Sequence, residues 1–441
     1  MVEKIVCDWK SWLRSPQKNK YSVLILGAVI LAVGLAFRLI YSNSPFDISL
    51  LSSTSILGKT HVSPSPVISV TSQEVTDQNT TQELFDSEGK CNLFVGDWVP
   101  YEGQLLYTNN SCSFIGGHQD CMKNGRPDRD YLHWRWKPHA CDLPRLHPKK
   151  FLQLMRNKTW AFIGDSINRN HAQSFMCILS TVEKAIEVYH DEEYKSYRWV
   201  FPSHNLTVWN LWSPLLAKAA IFEDINGVST SEIELHLDIL DDSWTQYYST
   251  FDYMIFSVGS WFPKSTIYYE NSLAIGCNNN CPKRNLTELG FKFAYQKVLH
   301  NVFDFIVQSN HKEGVVLYRT TTPDHYEGGE WYNGGTCNRS LPVKEGVFEV
   351  NGVYRILRDV EMEEFGEARV RAKESGVNFG LMDVGPLALM RPDGHPGPYR
   401  FFQPFAGSGG EKKVISDCLH WCMPGPIDAW NDVLMEMVVR G

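Results

Sequence analysis

TWAFIGDSINRN, residues 159–170, decides how the rest of the chain is read. Five residues dominated by apolar side chains form a short strand. Gly164-Asp165-Ser166 then turns the backbone, and a run from Ser166 to Ser180 carries apolar residues at helical spacing. A serine at the mouth of a strand is either a nucleophile or the N-cap of the helix that follows, because a hydroxyl serves both purposes. The G-x-S-x-G elbow of α/β-hydrolases is missing, which disfavours that fold.

Working outward, strand and helix signals alternate. FDYMIFSVG (251–259), GVVLYRTT (314–321) and VNFGLMDV (377–384) read as buried strands, and 285–308 and about 355–374 read as helices, the former with Asn285 or Thr287 as its cap. Alternation of this kind predicts an α/β fold with a mostly parallel central sheet, whose site lies at the carboxyl ends of the strands. Ser166, Gly259 and the Thr320–His325 region all follow strand ends.

The first 150 residues differ in character. Ser22 to Phe37 is unbroken and apolar, and Leu39–Tyr41 extend it beyond Arg38 to the roughly 20 residues that span a bilayer. Lys4, Lys10, Arg14, Lys18 and Lys20 precede it, while the next basic residue after Arg38 is Lys59. This bias predicts a cytosolic N-terminus and a lumenal remainder. A cleaved signal peptide is the competing reading, opposed by the length of the apolar run and of the basic tail. The expected divisions are a cytosolic tail (1–20), a signal anchor (21–41), a flexible Ser/Thr/Pro-rich stem (42–89), a Cys-rich, loop-rich module (90–145) and a catalytic domain (146–441).

Cysteine usage agrees with a lumenal head. Cys7 lies in the tail, and ten remain: Cys91, Cys112, Cys121, Cys141, Cys177, Cys277, Cys281, Cys337, Cys418 and Cys422. In an oxidising compartment an even set reads as disulfides, although the C-x3-C pairs 277/281 and 418/422 also suit zinc. Sequons at Asn79, Asn109, Asn157, Asn205, Asn285 and Asn338 fit the same compartment. A net charge of −8 with no basic stripe argues against nucleic acid as a partner. The 14 Trp and 19 Tyr are mostly packing, but their faces also stack on sugars.

If Ser166 is a nucleophile it needs a base and an orienting carboxylate. SDCLHWCMPGPIDAW (416–430) offers Asp417 and His420 three residues apart, bracketed by Cys418 and Cys422. His171, His325 and His395 also lie near polar residues, and each reads first as a structural, hydrogen-bonded histidine.

These blocks together resemble the trichome-birefringence-like family of plant polysaccharide O-acetyltransferases. The carriers are CNLFVGDWVP, CMKNGRPDRDYLHWRWKPHACDLPR, FIGDSINRNHAQS, YRTTTPDHYEGGEWYNGGTC and DCLHWCMPGPIDAWNDVL, covering about residues 89–441. The resemblance implies a GDSL/SGNH-like three-layer fold and a type II Golgi protein. It implies Ser166 as nucleophile, His420 as base, Asp417 as its orienter, and the amides of Ser166 and Gly259 as oxyanion donors. Many members have Gly-His-Trp where this chain has Gly259-Ser260-Trp261, which leaves a side-chain donor there open. Arg169 and Asn170 match the family's Arg-Asn and either line the site or serve packing and capping.

By resemblance the disulfides are Cys91–Cys141, Cys112–Cys177, Cys121–Cys422 and Cys337–Cys418, with 277/281 left to bridge locally. No metal and no bound cofactor are expected. The acetyl donor, acetyl-CoA or a lumenal donor derived from it, is required, and no glycine-rich phosphate cradle is visible for it. A membrane transport partner for the donor follows from that topology. The acceptor implied is xyloglucan first and glucomannan second. An esterase with the same triad, or a non-enzymatic polysaccharide-bridging protein, are the competing readings.

Overall fold

A computed structural model describes residues 91–223, 229–309, 311–348, 352–406 and 414–440. The expected tail, anchor and stem, with Cys7 and Asn79, lie outside them. Among the described residues no helix is long and apolar enough to cross a membrane.

Seven strands form the central sheet: β1 (Thr159–Gly164), β2 (Ile186–His190), β3 (Tyr197–Phe201), β4 (Leu206–Trp212), β5 (Tyr253–Ser257), β6 (Val315–Arg319) and β7 (Asn378–Met382). Their order is β7-β6-β5-β1-β4-β3-β2. The first five in that order are parallel, and β3 and β2 extend the sheet antiparallel. The parallel core matches the alternation in the sequence. The antiparallel edge does not, because its strands are short and two-sided, with β2 largely exposed.

Four long helices cover the sheet: α1 (Ser166–Leu179), α2 (Gly290–Gln308), α3 (Gly352–Ser375) and α4 (Asp428–Arg440). Central strand β1 shows why there are three layers. Successive side chains of a strand point to opposite faces. Trp160 and Phe162 enter one core with Phe175 of α1 and Trp430 of α4. Ala161 and Ile163 enter the other, with Tyr295 and Val302 of α2 and Phe365 of α3. A strand covered on both faces is apolar throughout, as TWAFIG is.

One expectation is corrected. Helix α2 begins at Gly290 with Leu289 in the N-cap position and no side-chain cap. Asn285 and Thr287 cannot fill that role, because the segment before the helix is paired with a strand: the amide of Cys277 donates to Thr287 O and that of Leu289 to Cys277 O, both at 3.0 Å. A second, four-stranded mixed sheet (Ala217–Ala220, Ile233–Leu240, Thr266–Glu270 and Leu273–Asn278) went unread in the sequence.

The Cys-rich segment packs against the rest of the described fold. Gly96–Pro100 pairs antiparallel with Trp134–Pro138, and Leu93, Phe94, Trp98 and Trp136 join the same core as Trp160 and Trp430. The Trp98 indole donates to Leu387 O at 2.8 Å, and the buried Arg391 guanidinium lies 4.3 Å over the Trp98 ring.

The ten cysteines are joined as Cys91–Cys141, Cys112–Cys177, Cys121–Cys422, Cys277–Cys281 and Cys337–Cys418. These are the pairs that the resemblance implies, and they leave neither C-x3-C pair as thiolates for zinc. Of the described sequons, Asn157, Asn205, Asn285 and Asn338 are exposed and Asn109 is half-buried.

Candidate active site

The β1–α1 turn combines a local helix cap with close contacts from β5 and the loop after it. Gly164 sits at φ 155°, and a Cβ there would lie 1.9 Å from Ser257 O on β5, so only glycine closes this turn. The helix cap is Asp165: its Oδ1 accepts from the amides of Ile167 at 3.0 Å and Asn168 at 3.4 Å, and its Oδ2 accepts from Ser260 Oγ at 2.9 Å. Ser166 is therefore the first residue of α1, relieved of capping, and its hydroxyl meets His420 Nε2 at 2.8 Å. Burial pushes the Asp165 carboxyl up, opposed by Arg319 and by these hydrogen bonds. In the first turn, Ile167 and Asn168 donate to Asp165 Oδ1 and Arg169 to Asp165 O, so the amides at the start of the helix gather around Asp165.

Across from it stands the loop 416–422. His420 Nδ1 lies 2.9 Å from Asp417 Oδ2, and the amides of Leu419 and His420 donate to Asp417 Oδ1 at 3.2 and 3.0 Å. Asp417 is buried, which acts to raise its carboxyl. The charge and hydrogen bonds of His420, with Arg400 nearby, outweigh burial and hold it well below the usual carboxylate range. Serine, imidazole and carboxylate thus form one unbroken line, the arrangement in which a hydroxyl is activated for attack on a carbonyl.

The loop is tied at nearly every residue. Asp417 exchanges two 2.9 Å backbone hydrogen bonds with Gly397, Cys418 O accepts from the His325 amide at 2.9 Å, and the Cys422 amide donates to Gly394 O at 2.9 Å. The Trp421 amide donates to Asn170 Oδ1 at 2.8 Å. Disulfides to Cys337 and Cys121 bracket it. Asn170, 1% exposed, therefore ties the His420 loop to α1 through its carbonyl oxygen.

Arg169 shares the Ser166 face of α1, and its guanidinium lies 5.3 Å over Trp212 at the carboxyl end of β4. Trp212 in turn meets Trp261 edge-on at 5.5 Å. Gly259 follows β5 at φ 154°, and a Cβ there would come within 2.7 Å of Thr321 Oγ1. Ser260 anchors the cap residue Asp165. Sequence reading missed Asp165, Ser260 and the buried Glu361, which accepts from the hydroxyls of Tyr295 at 2.7 Å and Tyr318 at 3.0 Å and from the Thr321 amide at 2.9 Å. Asp165 was within reach as a cap residue before a helical run; the other two have no local signature. His171 is fully buried and edge-on to Phe162 and Trp430, and neither ring nitrogen meets a hydrogen-bond partner among the described residues, unlike the hydrogen-bonded histidine expected. One group of described residues, His300, Glu364 and Glu367, brings its side-chain donor atoms within 4.8 Å of one another, on the α2–α3 pair and not with Ser166.

Residues 143–437 match the GDSL/SGNH-like acyl-esterase family found in Pmr5 and Cas1p, and residues 89–142 match the PMR5 N-terminal domain. The chain belongs to this family. Within it, the chain is 48% identical to protein trichome birefringence-like 24 of Arabidopsis thaliana, over 96% of this chain and 97% of that one. It is 37% identical to xyloglucan O-acetyltransferase 1 of Arabidopsis thaliana over 96% and 97%, and 39% identical to xyloglucan O-acetyltransferase 4 of Populus trichocarpa over 83% and 86%. Cys121–Cys422 joins the segment that matches the N-terminal domain to the segment that matches the acyl-esterase family, two residues after His420.

Proposed function

We propose that the chain is a polysaccharide O-acetyltransferase that carries acetyl on Ser166 and delivers it to a sugar hydroxyl of xyloglucan, with glucomannan as the second acceptor. The observation that carries this reading is the Ser166–His420–Asp417 line in a chain whose relatives include proteins named xyloglucan O-acetyltransferase. In the first half-reaction His420 Nε2 takes the Ser166 proton as Oγ attacks the acetyl carbonyl. The amides of Ser166 and Gly259 hold the oxyanion, and collapse expels the donor's leaving group with the proton from His420. In the second, the sugar hydroxyl gives its proton to His420 and attacks the acyl carbon, and Ser166 Oγ leaves with that proton. Asp417 keeps the Nδ1 proton in place throughout.

Arg169, stacked on Trp212, borders the approach to Ser166 and takes part in binding. The donor is acetyl-CoA or a lumenal derivative brought by transport machinery. The setting is a type II Golgi membrane protein with a glycosylated lumenal head. Hydrolysis is the second reading, favoured by the acyl-esterase description of the matched family, since water and a sugar hydroxyl use the same triad. Incubating the full chain with acetyl-CoA and xyloglucan or glucomannan oligosaccharides separates them. Acetylated sugar by mass spectrometry supports transfer, and free acetate without sugar ester supports the esterase.

A further inference from the structure

Two buried histidines stand behind the His420 loop, and neither takes part in the chemistry above. His325 and His395 are 0% and 3% exposed. His325 Nε2 lies 3.0 Å from Leu389 O, His325 Nδ1 lies 2.7 Å from His395 Nε2, and His395 Nδ1 lies 2.7 Å from His420 O. The chain thus runs from one carbonyl through two imidazoles to the backbone of the residue that serves as base. Three contacts between two carbonyl acceptors and two rings need three N–H protons, whereas two neutral imidazoles carry two. A third proton makes the pair a buried cation.

The surroundings oppose that cation. Arg126 donates to His395 O at 2.9 Å and so brings its own positive charge alongside. Of the neighbouring carboxylates, Asp393 is held by Arg391 at 2.8 Å and Asp417 by His420. Near His325 the charges of Arg339 and Glu327 offset each other within a 2.6 Å pair. The remaining walls are the Trp421 ring, 4.3 Å from His395, and the Phe348 ring, 4.6 Å from His325. Burial pushes both imidazoles down, His325 to about 4, so near neutrality the pair holds two protons.

Two protons leave one contact without a hydrogen, and the 2.7 Å contacts cannot each stand between two lone pairs. The 3.0 Å contact to Leu389 O is the one left bare. We infer that His325 and His395 are positioning residues, both in the Nδ1–H tautomer: His325 donates to His395 Nε2, and His395 donates to His420 O. The reverse order would set a bare His395 Nδ1 against His420 O at 2.7 Å and push the loop away. His325 grips the same loop a second time through its amide on Cys418 O. The catalytic consequence rests on the reading of His420 as base; the tautomers do not.

The test uses the full chain in detergent, labelled with ¹⁵N-histidine. Long-range ¹H–¹⁵N spectra at neutral pH, with resonances assigned through His325→Gln and His395→Asn, are expected to place the proton of both rings on Nδ1. A proton on His395 Nε2, or on both nitrogens of either ring, overturns the inference. In acetyl-transfer kinetics His395→Asn sets an amide N–H where Nδ1–H stood and keeps kcat within about 3-fold. His395→Phe has no donor and lowers kcat about 10- to 100-fold with KM within about 2-fold, as expected for a displaced base. Equal kcat for the two variants overturns the positioning role. If His395→Phe does not fold, as read by circular dichroism, the wild-type tautomers and the Asn variant decide. Labelling of Ser166 by a fluorophosphonate checks the underlying triad separately. Unlabelled wild-type protein would reject the triad, while the spectra would still judge the proton order.

Discussion

The two halves of the site are made in opposite ways. The β1–α1 turn makes its own helix cap: Gly164 permits the backbone path, Asp165 caps the helix two and three residues on, and Ser166 is delivered at the first helical position, with Ser257 and Ser260 packed against it. Within itself the Asp417–His420 loop has the contacts that Asp417 makes with Leu419 and His420, and its other ties come from distant parts of the chain. A nucleophile at a strand–helix junction inherits the rigidity of the sheet. A base on an irregular loop has none to inherit and must be tied down residue by residue.

Removing the reacting groups gives the largest expected effect. Ser166→Ala and His420→Ala are each expected to lower acyl transfer by about 10⁴-fold or more, and the double variant by no more than either alone, since the pair acts as a unit. A multiplicative loss in steady-state kinetics would break the description of the two halves as one device.

Cutting a tie of the loop comes next. Cys337→Ser with Cys418→Ser opens a closure spanning 81 residues and is expected to cost about 2–5 kcal/mol in denaturant unfolding, with kcat down about 10- to 100-fold and Ser166 still in place. Unchanged kcat would mean that the backbone hydrogen bonds alone hold His420.

A third prediction concerns pH. Burial pushes Glu361 up to about 7, against the hydrogen bonds it accepts from Tyr295, Thr321 and Tyr318. A carboxyl raised on folding contributes stability that is complete below its unfolded pKa of about 4.3 and is lost as pH rises through about 7. Stability is expected to fall by about 3 kcal/mol across that window. Glu361→Gln should flatten the fall, as read by urea midpoints at pH 5 and 7.5. An unaltered slope would assign the pH dependence elsewhere.

The smallest effect sharpens the contrast from the local side. Asp165→Ala removes the cap and the Ser260 contact and is expected to cost about 1 kcal/mol in thermal unfolding. A much larger loss would show that the turn depends on its neighbour strand as heavily as the loop depends on its ties.

What was legible in the sequence follows the same division. β1, β5, β6 and β7 were readable because strands buried on both faces are continuous apolar runs, and α1 because its periodicity begins where GDS ends. The antiparallel β2–β3 edge and the four-stranded sheet were not, since short half-exposed strands lack a distinct period. Asp417 and His420 could be paired on paper because three residues separate them. That Asn170 would serve Trp421 could not, because 251 residues separate the partners.

By itself, then, the sequence determined the parallel core, the Ser166 turn and the short-range Asp417–His420 pair, all of which rest on contacts a few residues long. The tertiary structure alone decided that Ser166 meets His420 from the far end of the chain, and that the Cys-rich segment shares the main core. It alone set two buried imidazoles in line behind His420. Those arrangements depend on which distant surfaces are buried against each other, and burial of that kind has no local period to announce it.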